Sequence, residues 1–326
     1  MKLATLKDGS RDGTLAVVSH DLTKMAPASA VARTLQIALE KWGDAAPRLE
    51  RLFEAVNAGS ADGVRDYDPD ALELPLPRTY QFVDGSAYLH HVELFRQARG
   101  AKLTPRLREQ PLMYQAVSDG FLRPTGDIPV ADPEMGIDME AEVGVIVDDV
   151  PMGITPDKVA QHIKLFVLIN DVSLRTLIPD ELNFGLGYFH GKPRSTLSPV
   201  AVTPDELGSA WDGHKVHLDM MVKFNQAPIG MPNCGVDMDF DFTQLIAHAA
   251  KTRPLCAGTL IGSGAISNRD PGTGVACLAE LRIVQQIDEG RQKTSFMQYG
   301  DRATIEMFDA NDQSVFGAID QEITPA

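Results

Sequence analysis

DMEAEVGVIV, residues 138–147, puts an apolar side chain at each odd position, Met139, Ala141, Val143, Val145 and Val147, with Glu140 and Glu142 between them. A period of two belongs to a β-strand, whose successive side chains point to opposite faces. The run therefore predicts one apolar face and one face on which two carboxylates sit side by side. Like charges at that spacing repel unless a cation or solvent separates them. Two readings stay open on these residues alone: a strand that delivers a metal-binding carboxylate pair, and an ordinary half-exposed strand whose polar face is acidic.

Working outward, KLFVLIND (164–171), KVHLDMMVKFN (215–225), AELRIVQQI (279–287) and RATIEMFD (302–309) are further short runs of β-formers, separated by Gly, Pro, Asn and Asp turns. Helices are predicted from Thr155-Pro156-Asp157 onward, where Thr155 can cap and Pro156 suits a first turn, and over Phe242 to Lys251. The fold class that follows is α+β, dominated by mixed β-sheet. The first twenty residues read as a hairpin around DGSRDG, followed by a helical pattern from Ser29 and a second around Leu49 to Val56 after a break at Pro47. The acidic stretch Asn57 to Asp70, with Pro75 and Pro77 after it, has the composition of a linker. A small N-terminal module over 1–75 and a catalytic domain over 76–326 are expected.

Composition narrows the function classes. A formal charge of -15 repels phosphate backbones and anionic membranes, which argues against nucleic acid as a partner. No apolar run approaches the ~18–20 residues that a bilayer demands, so no membrane partner is expected either. Three cysteines, Cys234, Cys256 and Cys277, are too few and too odd in number for a disulfide framework, and a reducing cytoplasm fits best.

Several residues carry candidate chemistry. Asp171 closes the apolar run Leu165 to Ile169, where a buried strand would deliver it to a sheet edge; it also reads as a turn or capping aspartate. Asp84, in FVDGSAY, stands in an Asp-Gly turn signal, and His90 and His91 follow in a segment rich in Val, Leu and Phe, where a histidine can equally be a hydrogen-bonded core residue. Gly191-Lys192-Pro193 lacks the glycine spacing of a phosphate-binding loop, and Gly262-Ser263-Gly264 lacks the third glycine of a dinucleotide fingerprint.

Five motifs in fixed order settle a resemblance. DGSAYLHH (84–91), DMEAEVG (138–144), INDVSLR (169–175), GKPRSTLSP (191–199) and GSGAISNRD with CLAEL (262–270, 277–281) resemble those of the fumarylacetoacetate hydrolase family from about Leu74 to Phe308. The resemblance implies a β-roll fold and a divalent metal, Mg2+ or Ca2+ with Mn2+ also possible, held by Asp84, Glu140, Glu142 and Asp171. It implies His91 as general base oriented by Glu280, Lys192 and Arg175 on the oxyanion and substrate carboxylate, and Tyr114 and Thr196 against the substrate. It further implies a homodimer. Ser86, Ile178 and Ala265 stand where the family carries tyrosine, glutamine and threonine; these are substrate-contacting positions, so the acyl group accepted is the part most open to change. The expected activity is hydrolysis of a C–C bond in a β-diketo acid such as fumarylacetoacetate, within aromatic amino-acid catabolism. The alternatives are an acylpyruvate hydrolase acting on 2,4-diketo acids and a lyase or decarboxylase of the same fold acting on oxaloacetate-like acids.

Overall fold

The computed structural model describes residues 1–98, 100 and 104–326. The N-terminal hairpin forms as expected from β1 (Lys2–Leu6) and β2 (Thr14–Val18), with β3 (Lys24–Pro27) added beside β2. Helix α1 (Leu35–Glu40) starts later than the pattern from Ser29 suggested. The reason is local: the Leu15 amide donates to the Arg33 carbonyl and the Ala28 amide to the Leu15 carbonyl, so the preceding turn is tied to β2. Thr34 then caps the helix by accepting from the Ile37 amide. Pro47 does not break the next helix, α2 (Trp42–Asn57), but lies inside it. The bond it cannot make would have gone to the carbonyl of Gly43, on the side of the helix that faces solvent, so water can satisfy that carbonyl. The stretch expected as a linker contributes Arg65 and Asp66 to a short strand against β3.

The main elements that follow, short two-residue strands such as Thr196–Leu197 and 3₁₀ turns aside, are β4 (Phe82–Gly85), α3 (Leu89–Ala98), β5 (Met113–Ala116), β6 (Asp127–Val130), β7 (Ala141–Val147), β8 (Ile163–Asn170), α4 (Ile178–Phe184), β9 (Ala201–Val202), β10 (Met220–Phe224), β11 (Ala227–Gly230), α5 (Phe242–Ala249), β12 (Leu260–Gly262), α6 (Leu278–Glu289), β13 (Arg302–Met307) and β14 (Ile319–Pro325). The large sheet runs β3-β2-β1-β9-β8-β7-β12-β4-β5, and a second runs β11-β10-β13-β14-β6. Both are mixed: β12 pairs with β4 in parallel, as β14 does with β6, while β7 pairs antiparallel with both β8 and β12. The fold is α+β, and β1 joins the later chain directly, with Lys2 opposite Val202 and Leu3 opposite Ala201.

Two expected elements differ. AELRIVQQI is not a strand but most of α6. Its isoleucines and valine favour strands, yet the Cys277 sulfur accepts from the Glu280 amide, Asp138 accepts from the Leu278 and Ala279 amides, and Gly290 closes the helix in the left-handed region at φ 74°. Those end signals win over weak β-propensity. The helix expected from Thr155 is two single 3₁₀ turns, Pro156–Lys158 and Ala160–His162, and Thr155 makes no capping bond. The helix expected near Phe242 is present as α5, with a reciprocal cap between Asp241 and Gln244.

β7 is buried along its whole length. Val143, Val145 and Val147 pack into one apolar cluster and Ile146 into the other, so the half-exposed reading of DMEAEVGVIV does not hold. No described helix is long and apolar enough to cross a membrane.

Candidate metal and catalytic site

Strand register brings the carboxylates together. Gly262 of β12 lies opposite Gly144 of β7 on one side and opposite Asp84 of β4 on the other, so Glu142 and Asp84 converge across a glycine. Asp171 follows the end of β8, whose Ile169 is opposite Glu142. Oxygens of Asp84, Glu142 and Asp171 lie within 4.8 Å of one another.

All three carboxylates are buried, Glu142 and Asp171 at 0% exposure. Among the described residues neither oxygen of Glu142 finds a hydrogen-bond donor, and Asp84 Oδ1 finds none. Burial, reinforced by Asp171, pushes the Asp84 carboxyl up to about 8. Burial, with Asp84 and Asp171 beside it, drives Glu142 well above the usual carboxylate range. Carboxylates without donors in a closed space carry an uncompensated electrostatic cost that a hard cation would cancel. The space is shaped for it: a Cβ on Gly262 would stand 2.3 Å from Asp84 Oδ1 and 2.8 Å from Glu142 Oε2. These residues fit a divalent metal ion.

Glu140, the other carboxylate of the pair, is engaged differently. Its Oε1 accepts from Arg175 Nη2 at 2.5 Å and its Oε2 from Lys192 Nζ at 2.7 Å. Burial opposes its charge, but Arg175 and Lys192 outweigh it and hold Glu140 far below the usual range. Lys192 also donates to Asp171 Oδ2 at 2.5 Å, and despite its burial these two carboxylates raise its ammonium above the ordinary lysine value. Arg175 has Nε and Nη2 committed to Asp138 and Glu140.

Tyr114 donates its hydroxyl to Asp171 Oδ2 at 2.6 Å and meets Tyr188 edge-on. Burial and then Asp171 keep the phenol protonated by raising it well above its ordinary value. The family resemblance placed Thr196 on the substrate; here it is paired in the sheet with its hydroxyl accepting from Gln321 Nε2 at 2.7 Å. The loop hydroxyl that reaches the site is Ser195, donating to Asp171 Oδ1 at 2.6 Å. Ser86 is half-buried just after β4, and Ala265 is buried beyond β12.

His91 stands on α3 with Nδ1 2.7 Å from Glu280 Oε2, while Glu280 stands in the first turn of α6. Two helix ends thus supply the histidine and its carboxylate partner. Cys277 lies against this pair, but burial lifts its thiol well above the ordinary value, so it is a helix cap and not a nucleophile.

Two residues that sequence reasoning missed organise the site. Asp138 joins Arg175 to the amides of α6, and Ser195 fixes Asp171. Asp138 was the first letter of the glutamate motif, yet its partner Leu278 lies 140 positions away and leaves no local trace.

A strand-borne carboxylate cluster that fits a divalent metal ion, together with a histidine–carboxylate pair, is the arrangement that comparison with known proteins places. Residues 81–324 match the fumarylacetoacetate (FAA) hydrolase C-terminal family and residues 1–78 the fumarylacetoacetase N-terminal domain 2. The chain belongs to the fumarylacetoacetate hydrolase family. It is 27% identical over 168 residues to 2,4-didehydro-3-deoxy-L-rhamnonate hydrolase of Sphingomonas sp. (strain SKA58), a stretch covering 51% of this chain and 54% of that relative. The chain thus spans about half the length of the curated relative it matches. Its fold is shared with maleylpyruvate hydrolase of Sphingobium sp. SYK-6, solved with manganese(II) and pyruvate (TM-score 0.65, 17% identity, 100% of both chains). It is shared also with a probable 2-hydroxyhepta-2,4-diene-1,7-dioate isomerase from Mycobacterium abscessus (TM-score 0.68, 16% identity, 100% of this chain and 99% of that one).

Proposed function

We propose that this protein is a divalent-metal-dependent hydrolase that cleaves a C–C bond in a β-diketo acid of the fumarylacetoacetate type. The observation that carries the reading is the set of buried, donorless oxygens of Asp84 and Glu142 beside the His91–Glu280 pair. Asp84, Glu142 and Asp171 would hold the cation, with Glu140 braced behind them by Arg175 and Lys192; when bound, it would supply positive charge to polarise the keto oxygens of the substrate. The names of the hydrolase and isomerase relatives support a small acidic keto or enol compound as the substrate class.

The chain's own residues account for the proton movements. With Nδ1–H donated to Glu280, His91 keeps a lone pair on Nε2 and takes a proton from water as the oxygen adds to one carbonyl carbon. Glu280 offsets the charge that the imidazole then carries. Lys192, held between Glu140 and Asp171, would offer positive charge to the developing oxyanion. The bond between the attacked carbon and the central carbon breaks, leaving the attacked carbon as a carboxylic acid; the electron pair leaves as an enolate, and a proton returned from His91 turns that enolate into the keto product. One water is consumed and two acids leave.

The test is product analysis on a panel of 2,4- and 3,5-diketo acids after chelation, with Mg2+, Mn2+ or Ca2+ returned. Hydrolysis should disappear on chelation and recover with metal, and His91→Ala should lower kcat by about 10²–10⁴-fold while leaving cation affinity intact. Full turnover in chelated protein, or conversion without water uptake to an isomerised or decarboxylated product, would overturn the hydrolase reading.

A further inference from the structure

The pair His91–Glu280 is the inner half of a longer chain of hydrogen bonds. Glu280 Oε1, the oxygen that does not meet His91, accepts from the Ser267 hydroxyl at 2.8 Å. The same hydroxyl oxygen lies 2.9 Å from Nδ1 of His90. Ser267 is 1% exposed and Glu280 2%, so water is kept from competing for the bonds between them. His90 and His91 are neighbours on α3, yet they approach Glu280 from opposite ends of one relay through residues on two other segments.

The directions of these bonds follow from donor counting. An ionised carboxylate only accepts, so Glu280 receives one proton from Ser267 and one from His91 Nδ1. Ser267 has a single proton, committed to Glu280, so it must accept from His90, which fixes the proton of His90 on Nδ1. Every bond then points towards Glu280, and the relay leaves Nε2 of His91 with its lone pair towards the reaction. Removing the Ser267 hydroxyl would leave Oε1 without its donor and let the carboxylate rotate, and His91 would lose the fixed acceptor that selects its tautomer.

We infer that Ser267, with His90 behind it, is a positioning residue that holds Glu280 so that His91 presents an unprotonated Nε2. The inference deepens the hydrolase reading and rests on it only for its kinetic consequence; the tautomer itself is a property of the protein without substrate.

The experiment therefore has two arms. In full-length, Mg2+-loaded protein labelled with ¹⁵N-histidine, long-range ¹H–¹⁵N correlation should show His91 as a single Nδ1–H tautomer, assigned by its loss in His91→Ala. Ser267→Ala should produce a mixture with the Nε2–H form, and Ser267→Thr, which keeps the hydroxyl, should restore the parent tautomer. His90→Phe, one bond further from Glu280, should shift His91 in the same direction by less, and it serves if Ser267→Ala does not fold. In the kinetic arm, Ser267→Ala should lower kcat about 10-fold with KM held within about twofold, and should have no further effect in a His91→Ala background. An unchanged His91 tautomer in both Ser267→Ala and His90→Phe would overturn the inference, as would a Ser267→Ala defect that adds in full to His91→Ala. If the parent hydrolyses no diketo acid but the tautomer still shifts, the positioning role stands and the hydrolase reading falls.

Discussion

Glu142 has the most to gain from a cation, because both its oxygens are buried and neither has a donor among the described residues. Glu142→Gln keeps the shape and removes the charge, so affinity for Mn2+, read by calorimetry, should weaken at least about 100-fold while the metal-free protein melts no lower than the parent. Unchanged affinity would mean that Glu142 is not a ligand. Gly262→Ala attacks the same site without touching a carboxylate: its Cβ would press on Asp84 Oδ1 and Glu142 Oε2, at 2.3 and 2.8 Å, so cation affinity should fall although every acidic residue is retained. Normal Mn2+ binding in Gly262→Ala would place the ion elsewhere. At this scale the sequence was legible where chemistry and spacing are local: the two glutamates at the start of β7, Glu140 just before it and Glu142 within it, and His91 seven positions after Asp84. It was silent on Ser195, Asp138 and Ser267, because a serine or aspartate acquires a role only from a partner brought near by the fold.

At the scale of elements, α6 joins His91 to the carboxylate half of the site. Asp138, which is 1% exposed, accepts from the Leu278 and Ala279 amides and from Arg175, so one carboxylate caps the helix carrying Glu280 and steadies the guanidinium that holds Glu140. Asp138→Ala would leave two helix amides without acceptors and the half-buried Arg175 short of one partner. Urea denaturation should show a loss of about 3–5 kcal/mol, with Asp138→Asn intermediate because it keeps an acceptor oxygen. A loss no larger than that of an exposed aspartate would remove Asp138 from this role. The same helix was the element least legible in advance. Its isoleucines and valine look like a strand, and its start is set by a cysteine sulfur, which is not a usual cap, and by an aspartate that caps from far away in the chain. β7 and β8 were legible because alternation and continuous apolar runs are properties of the strand itself.

The whole molecule closes where the N-terminal hairpin joins the large sheet, and there it buries a charge. Lys2 is 2% exposed, with Nζ donating to the Val315 carbonyl at 2.8 Å and the Ser314 carbonyl at 3.3 Å. Burial lowers its ammonium to about 8, against the opposing pull of Glu206, Asp309 and Asp21. Between about 8 and the ordinary lysine value of 10.5, the unfolded chain holds a proton that the folded chain has released. Unfolding in that window takes up a proton, so this residue makes stability rise with pH there, whereas below it the folded state carries the full cost of the buried ammonium. Other lysines and tyrosines titrate over the same range, so the test is a difference: the melting temperature of the parent minus that of Lys2→Met, followed from about pH 7 to about pH 11. The difference should stay level up to about pH 8 and then move in favour of the parent, because the thioether of the variant has no proton to exchange and leaves the two carbonyls without a donor at every pH. Parallel curves across the window would show that Lys2 keeps an ordinary ammonium and that the hairpin is anchored to the sheet without this penalty.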